Sequence, residues 1–266
     1  MAKMGALRHR LTAGGRALGR DTGSLIAAAA PLLALYAAAL LLPPELAKRL
    51  GPQGLARLGN LFGALALTPL FTALAAPTLA AAWRKRTYPL SEAVRAAGGK
   101  ILRVLATGVC AWALALALDL VTGLVSSVAG LVGTLTNWIP GVGQAIGLLT
   151  GALVWLALLA QAFVGHVILV YGMAALTVDQ RWALPQAKRA LAILWGGRTD
   201  ALPELGLLFV VWVMVRGLMA LIAALSGGPV AGILAALMET GLTALSTAAV
   251  MAIYLRERDR QDGWTL

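Results

Sequence analysis

Asp119, Arg216 and Glu239 carry formal charges in the middle of runs that are otherwise apolar. If those runs are membrane helices, each charge costs roughly 2.5–3.5 kcal/mol to insert, so it must be paired or must serve a path for a solute, ion or proton. Asp119 and Arg216 suit each other. A repeated string in the chain recurs at an offset of 94 residues, from Tyr88 to Trp182, and the same offset carries Asp119 to Val213. Val213 is one helical turn before Arg216, on nearly the same face. Two chemistries are open to such a pair. One is a midplane site for a charged solute or ion, as in transporters built from repeats. The other is a buried ion pair that locks two related helices together. No further polar residues converge clearly on these charges, which favours the ion pair.

Other reactive side chains are scattered. Gln161 and His166 lie five residues apart in one apolar run, too far round a helix to form one tight site. His166 reads as an interhelical hydrogen bonder in preference to a proton shuttle. The other histidine, His9, sits in a basic N-terminal segment, and Cys110 is the single cysteine. An intrachain disulfide and a cysteine-based metal site are therefore excluded. Nothing assembles into a nucleophile, base and orienting group, so neither catalysis nor a cofactor or metal is expected.

The elements that position these residues can be read from composition. The 266 residues are 60% hydrophobic and 12% charged, with a mean hydropathy of +0.83. That leaves too little polar surface for a water-soluble domain of this size, and lipid must be the solvent for most apolar side chains. The net charge of +11 lies in short blocks between apolar runs, which fits anchoring beside a membrane and argues against nucleic-acid binding.

Crossing ~30 Å of hydrocarbon takes about 20 residues of helix, and six runs qualify. Their bounds are about 25–42, 61–83, 104–134, 144–175, 204–225 and 230–255. The uncharged stretch from Leu120 to Val178 must be two spans, turning at Asn137-Trp138-Ile139-Pro140-Gly141-Val142-Gly143; Ser226-Gly227-Gly228-Pro229 separates the last two. Pro31, Pro69 and Pro77 should kink their spans. The small-residue ladder of Gly143, Gly147 and Gly151 predicts close helix packing. Trp83, Trp138 and Trp182 mark the water–lipid interface. The fold expected is an all-α, six-span integral membrane domain covering residues 1–266.

Lys and Arg sort to one side of this plan. The N-terminal segment, the 84–103 and 178–203 loops and the tail hold almost all of them, and only Lys48, Arg49 and Arg57 fall opposite. The positive-inside bias then places both termini in the cytoplasm.

The two basic loops share the string aromatic-x-Leu-x-(Glu/Gln)-Ala-x-Arg-Ala, at 88–96 and 182–190, and Ala13-Gly14-Gly15-Arg16 echoes Ala97-Gly98-Gly99-Lys100. This predicts a unit of one short helix and two spans, repeated three times. The short helices, about 5–20, 89–103 and 184–197, should be amphipathic and lie in the cytoplasmic interface. Leu90, Ala93, Val94, Ala97, Ile101 and Leu105 form one apolar face, with Leu184, Ala187, Leu191, Leu194 and Trp195 as its counterpart. Arg84, Lys85, Arg86, Arg95, Lys100, Arg103, Lys188 and Arg189 are the candidates for contact with anionic lipid headgroups.

A span followed by Val178-Asp179-Gln180-Arg181-Trp182 and then Leu184-Pro185-Gln186-Ala187-Lys188-Arg189-Ala190 resembles a bacterial six-span, YciC-like family, related to the membrane domain associated with glycerophosphodiester phosphodiesterases. Ala190 stands where that family usually has Ser. The resemblance implies a six-span bundle and no catalytic residues.

The expected role is that of a non-catalytic, accessory or structural component of a membrane or envelope assembly. The alternative is a small-solute or ion transporter or channel using Asp119, Arg216 and Glu239. The expected partners are a bilayer with anionic lipids, and either other membrane proteins or a second copy; nucleic acid is not among them.

Overall fold

The structure, a computed structural model, describes residues 68–83, 89–136, 142–226 and 228–263, with Leu65. These residues form seven helices and no strand. They are α1 (Thr68–Trp83), α2 (Leu90–Gly98), α3 (Ile101–Thr136), α4 (Val142–Thr177), α5 (Leu184–Gly196), α6 (Arg198–Ser226) and α7 (Gly228–Gln261). The order short, long, long therefore occurs twice in succession. The span expected at 25–42, the helix expected at 5–20, Pro31 and the N-terminal echo lie outside the described residues.

Three helical segments, Ile101–Thr134, Gly143–Thr177 and Arg198–Ile222, are long and apolar enough to cross a membrane, and α1 adds a shorter apolar segment. The helix breaks fall where Pro and Gly punctuate the sequence: α3 ends at Thr136, α4 starts at Val142, and α7 starts at Gly228 just after α6 stops at Ser226. Hydroxyl groups along these helices turn back to the carbonyl one turn earlier, as Thr72 does to Thr68 and Thr177 to Met173, each at 2.7 Å. In a medium without water the i−4 carbonyl is the nearest acceptor that satisfies them. Pro77 lies inside α1, and beside it the Thr78 hydroxyl donates to the Leu74 carbonyl at 2.7 Å.

Two expected boundaries change. The helix expected over 89–103 is two helices, because Gly98 and Gly99 end α2 before α3 begins at Ile101. The last helix runs to Gln261 instead of stopping near 255. Arg and Glu are good helix formers, and ion pairs from Arg256, Arg258 and Arg260 hold those last two turns in place.

The chain divides into two units. The first comprises residues 1–109 and 167–266. In its described part α7 packs on α1 and α6, α2 packs on α1, and α5 packs on α7 and α6. Its interior combines small side chains with a few large ones: Ala73, Ala76 and Phe71 of α1, Ala174 and Met173 of α4, and Val250, Met251 and Tyr254 of α7 are buried. The second unit, residues 110–166, is the remainder of α3 and α4. There Leu120, Leu124, Leu148 and Leu149 are each more than 60% exposed. Such a surface would be untenable in water and suits hydrocarbon.

Candidate functional site

The sequence contains eleven acidic residues. Six of them, Asp179, Asp200, Glu204, Glu257, Asp259 and Asp262, meet four arginines at one end of the first unit. The junction is built from the end of α4, the helix α5, the start of α6 and the last two turns of α7.

Asp179 is its centre. Past Thr177 the last turn of α4 widens, so that the Asp179 N–H reaches the Ala174 carbonyl (3.2 Å) and the Arg181 N–H reaches that of Ala175 (2.9 Å). Gln180 takes a left-handed φ of 53° to make this possible. The Asp179 carboxylate, thus presented, accepts from Tyr254 Oη at 2.6 Å, Arg189 Nε at 3.2 Å and Arg258 Nη1 at 3.4 Å. Arg189 comes from α5 and also donates through Nη2 to Asp262 at 2.6 and 2.8 Å. That bond, with a smaller contribution from Asp179, holds the Arg189 proton more firmly than an isolated arginine would. Tyr254 is fixed from behind by Tyr171, edge to face at 5.1 Å.

Each further arginine of α7 binds an acid. Arg256 Nη1 donates to Glu204 of α6 at 2.7 Å, and its Nε donates to Glu257 at 2.6 Å. Arg258 also binds Asp259, and the exposed Arg260 binds Asp200 of α6 at 2.7 Å. Glu257, Arg258 and Asp259 are almost completely buried. Gly196 and Gly197 let α7 approach this closely: a Cβ at Gly197 would lie 2.5 Å from the Glu257 carboxylate, and one at Gly196 would meet Gln261. Gln261 in turn donates to the Ala192 carbonyl at 3.1 Å.

Lys100 and Arg103, from the described part of the other basic segment, meet the same end. Gln186 of α5 is buried and donates through Nε2 to Thr107 Oγ1 (3.0 Å) and to the Gly172 carbonyl (2.9 Å), joining α3, α4 and α5. The Arg103 guanidinium lies 5.8 Å above the Trp182 ring, and Lys100 Nζ is 3.5 Å from the Leu176 carbonyl. The two segments 100–107 and 176–189 therefore share one end of the unit.

The residues singled out in the sequence fare differently. Arg216 is half-buried on α6, with its guanidinium 4.5 Å above Trp212. Asp119 is on α3 in the second unit and Glu239 is on α7; their side chains lie outside the described residues. So do Arg84, Lys85 and Arg86. Arg95, Arg103 and Lys188 are exposed, whereas Arg189, expected at lipid headgroups, is turned inward to Asp179 and Asp262. Gln161 sits 3.0 Å from the Thr122 hydroxyl. Of the glycine ladder, Gly143 is buried, but a Cβ at Gly147 or Gly151 would meet nothing within 4 Å. Among the described glycines, a close approach is found at Gly108, where a Cβ would collide with the Pro69 ring, as well as at Gly196 and Gly197. Cys110 is exposed. Among the described residues no group of three or more His, Cys, Asp or Glu is placed to hold a metal.

The acid junction itself escaped sequence reading, although Arg256-Glu257-Arg258-Asp259-Arg260 alternates in sign and Asp179 belongs to the string behind the family resemblance. Alternating charge usually marks a solvated helix face, and only the fold reveals that this one is buried. Compared with known proteins, the chain matches no family model, no curated protein and no solved structure.

Proposed function

We propose that this chain is a multi-pass bacterial inner-membrane protein of six spans, built on a repeated unit of one short helix and two spans, with both termini in the cytoplasm. Its role is non-catalytic: an accessory or structural component of a membrane assembly, in contact with anionic lipids. The resemblance to the YciC-like family supports the same reading.

The observation that carries it is the acid–arginine junction. Its charges are spent on one another, tying the ends of α4, α5, α6 and α7 together. Guanidinium groups that grip carboxylates from neighbouring helices make a rigid clasp, which suits a scaffold better than a path along which charge must move. Arg216 fits the same pattern, its charge resting on the Trp212 face.

Purification of the full chain from native membranes, followed by mass spectrometry, tests the role: a partner membrane protein should be recovered in near-constant ratio. The transporter reading, with Asp119, Arg216 and Glu239 as its site, makes an opposite forecast. Arg216→Ala would then leave the protein folded and abolish solute flux in proteoliposomes. On the scaffold reading the same substitution lowers folded yield, and removing Asp119 along with it restores part of the loss.

A further inference from the structure

The helix α5 turns two different faces outward and inward. Gln186 and Ile193 are buried against the rest of the unit, and Arg189 is held by Asp179 and Asp262. Leu184, Leu191 and Trp195, which recur at helical spacing, are 63%, 64% and 69% exposed, with Ala187 exposed beside them. Nothing acidic lies on this helix, and Arg181, Lys188, Arg198 and Arg103 around it are exposed cations. The nearby carboxylates Asp179, Asp200 and Asp262 are already engaged by Arg189, Arg258 and Arg260. Two of the cations sit on indole rings: Arg198 lies 5.1 Å above Trp195 and Arg103 lies 5.8 Å above Trp182.

Connectivity fixes where this face can go. The membrane-length segment of α4 ends at Thr177 and that of α6 begins at Arg198, so α5 hangs between two spans on connections of six residues and one residue. The longer connection is folded back on α4 through the bond from Arg181 N–H to the Ala175 carbonyl. A helix tethered so closely at both ends stays at the level of the headgroups. At that depth an exposed Leu and Trp stripe enters the acyl boundary, while Arg beside Trp meets phosphate.

We infer that α5 is a binding site for the anionic phospholipid interface, with Leu184, Leu191 and Trp195 inserted and with Lys188, Arg198 and Arg103 against headgroup phosphate. This rests on the membrane reading proposed above, and the test separates the two. Cys110 is the only cysteine, so Cys110→Ser gives a clean background for spin labels at Leu191→Cys, at Ala192→Cys about 100° further round α5, and at Leu124→Cys on α3. The full chain is reconstituted into phosphatidylcholine vesicles with or without phosphatidylglycerol, and label accessibility to oxygen and to a water-soluble nickel chelate is measured.

The label at 124 should favour oxygen, which checks the membrane reading alone. The label at 191 should favour oxygen several-fold more than that at 192, and phosphatidylglycerol should drive it deeper. The combined variant Lys188→Gln and Arg198→Gln should lose that response while keeping the label at 124 unchanged. Equal nickel accessibility at 191 and 192, with 124 still oxygen-rich, overturns the inference. So does spin–spin broadening at 191 that disappears on dilution with unlabelled protein, which would make a second copy the occupant. A nickel-accessible label at 124 would sink the membrane reading and this inference together.

Discussion

The short helices α2 and α5 share a string of residues at an offset of 94, yet they bury different positions. In α2 the buried residues are Ala93 and Ala97, and Glu92 and Arg95 are exposed. The matching Ala187 and Leu191 of α5 are exposed, while Gln186, the counterpart of Glu92, is buried. The second helix has in effect rolled by about one residue, or 100°. One atom type explains much of this. An amide at 186 can be buried because Thr107 and the Gly172 carbonyl accept from it, whereas a carboxylate offers those acceptors no proton and stays in water. The counterpart of Asp179 is Lys85, so the first copy lacks the acid that draws Arg189 inward. Matching strings thus fix where a short helix begins, and a few polar exchanges fix which way it faces.

The largest expected effect tests that division of labour. Asp179→Ala removes the acceptor of Tyr254, Arg189 and Arg258 and leaves the nearly buried Arg258 short of a partner. Loss of one member of a buried ionic network costs about 3–5 kcal/mol, so thermal unfolding of the purified protein in detergent should fall steeply. Arg189→Ala, on a side chain 25% exposed, should cost less, about 2 kcal/mol. Arg95→Ala at the matching position of α2 should stay within about 0.5 kcal/mol. Equal losses at 95 and 189 would show that the two helices dock alike and that their asymmetry has no energetic content.

Exchanging the deciding atom comes next. Gln186→Glu places a carboxylate where Thr107 Oγ1 and the Gly172 carbonyl both expect a donor, at a cost of about 3 kcal/mol at neutral pH. Burial raises the folded-state pKa of that carboxyl above its unfolded value. The penalty is therefore full above the folded pKa and fades as pH falls toward the unfolded one, because the protonated acid can donate again. The deficit relative to wild type should shrink measurably in mildly acidic buffer. Glu92→Gln on exposed α2 should be silent at every pH.

The glycine pairs that end the two helices give a smaller contrast. A Cβ at Gly197 would collide with the Glu257 side chain at 2.5–2.6 Å, while at Gly99 it would only touch the Arg95 carbonyl at 3.5 Å. Gly197→Ala should lower stability by about 1–3 kcal/mol. At Gly99, where φ is −64°, alanine is tolerated and the change should be within about 0.5 kcal/mol of neutral.

Much of the helical plan was legible because it depends on one-dimensional signals. Runs of uncharged residues give α3 and α4, Pro and Gly give their breaks, and Leu184-Pro185 opens α5 where expected. The junction was hidden for a physical reason. Its six carboxylates come from three separated segments, and each segment alone resembles an ordinary solvated end of a helix; the junction exists only once α4, α5, α6 and α7 converge. The glycine ladder shows the complementary limit. Small residues at four-residue spacing permit close packing without requiring it, and among the described residues close approaches fall at Gly108, opposite Pro69, and at Gly196 and Gly197, opposite α7.

The residues that lead into the two short helices also differ, and they set the finest test. Pro89 and Ala183 occupy the same place before α2 and α5, 94 residues apart. Pro89 has φ −61° and ψ 139°, an unstrained entry. Ala183 has φ 57° and ψ −128°, where a Cβ is poorly tolerated and a non-glycine residue stores about 1–3 kcal/mol. The Gln186 and Arg189 contacts, which roll α5 to its observed face, sustain that strain. Ala183→Gly should therefore stabilise the protein by about 1 kcal/mol, less than the stored strain because glycine loses more freedom on folding. Ala183→Pro, which copies the first helix, demands a negative φ and should destabilise. If proline instead proved neutral in thermal unfolding, α5 would be free to enter as α2 does, and its rolled face would owe nothing to the loop that leads into it.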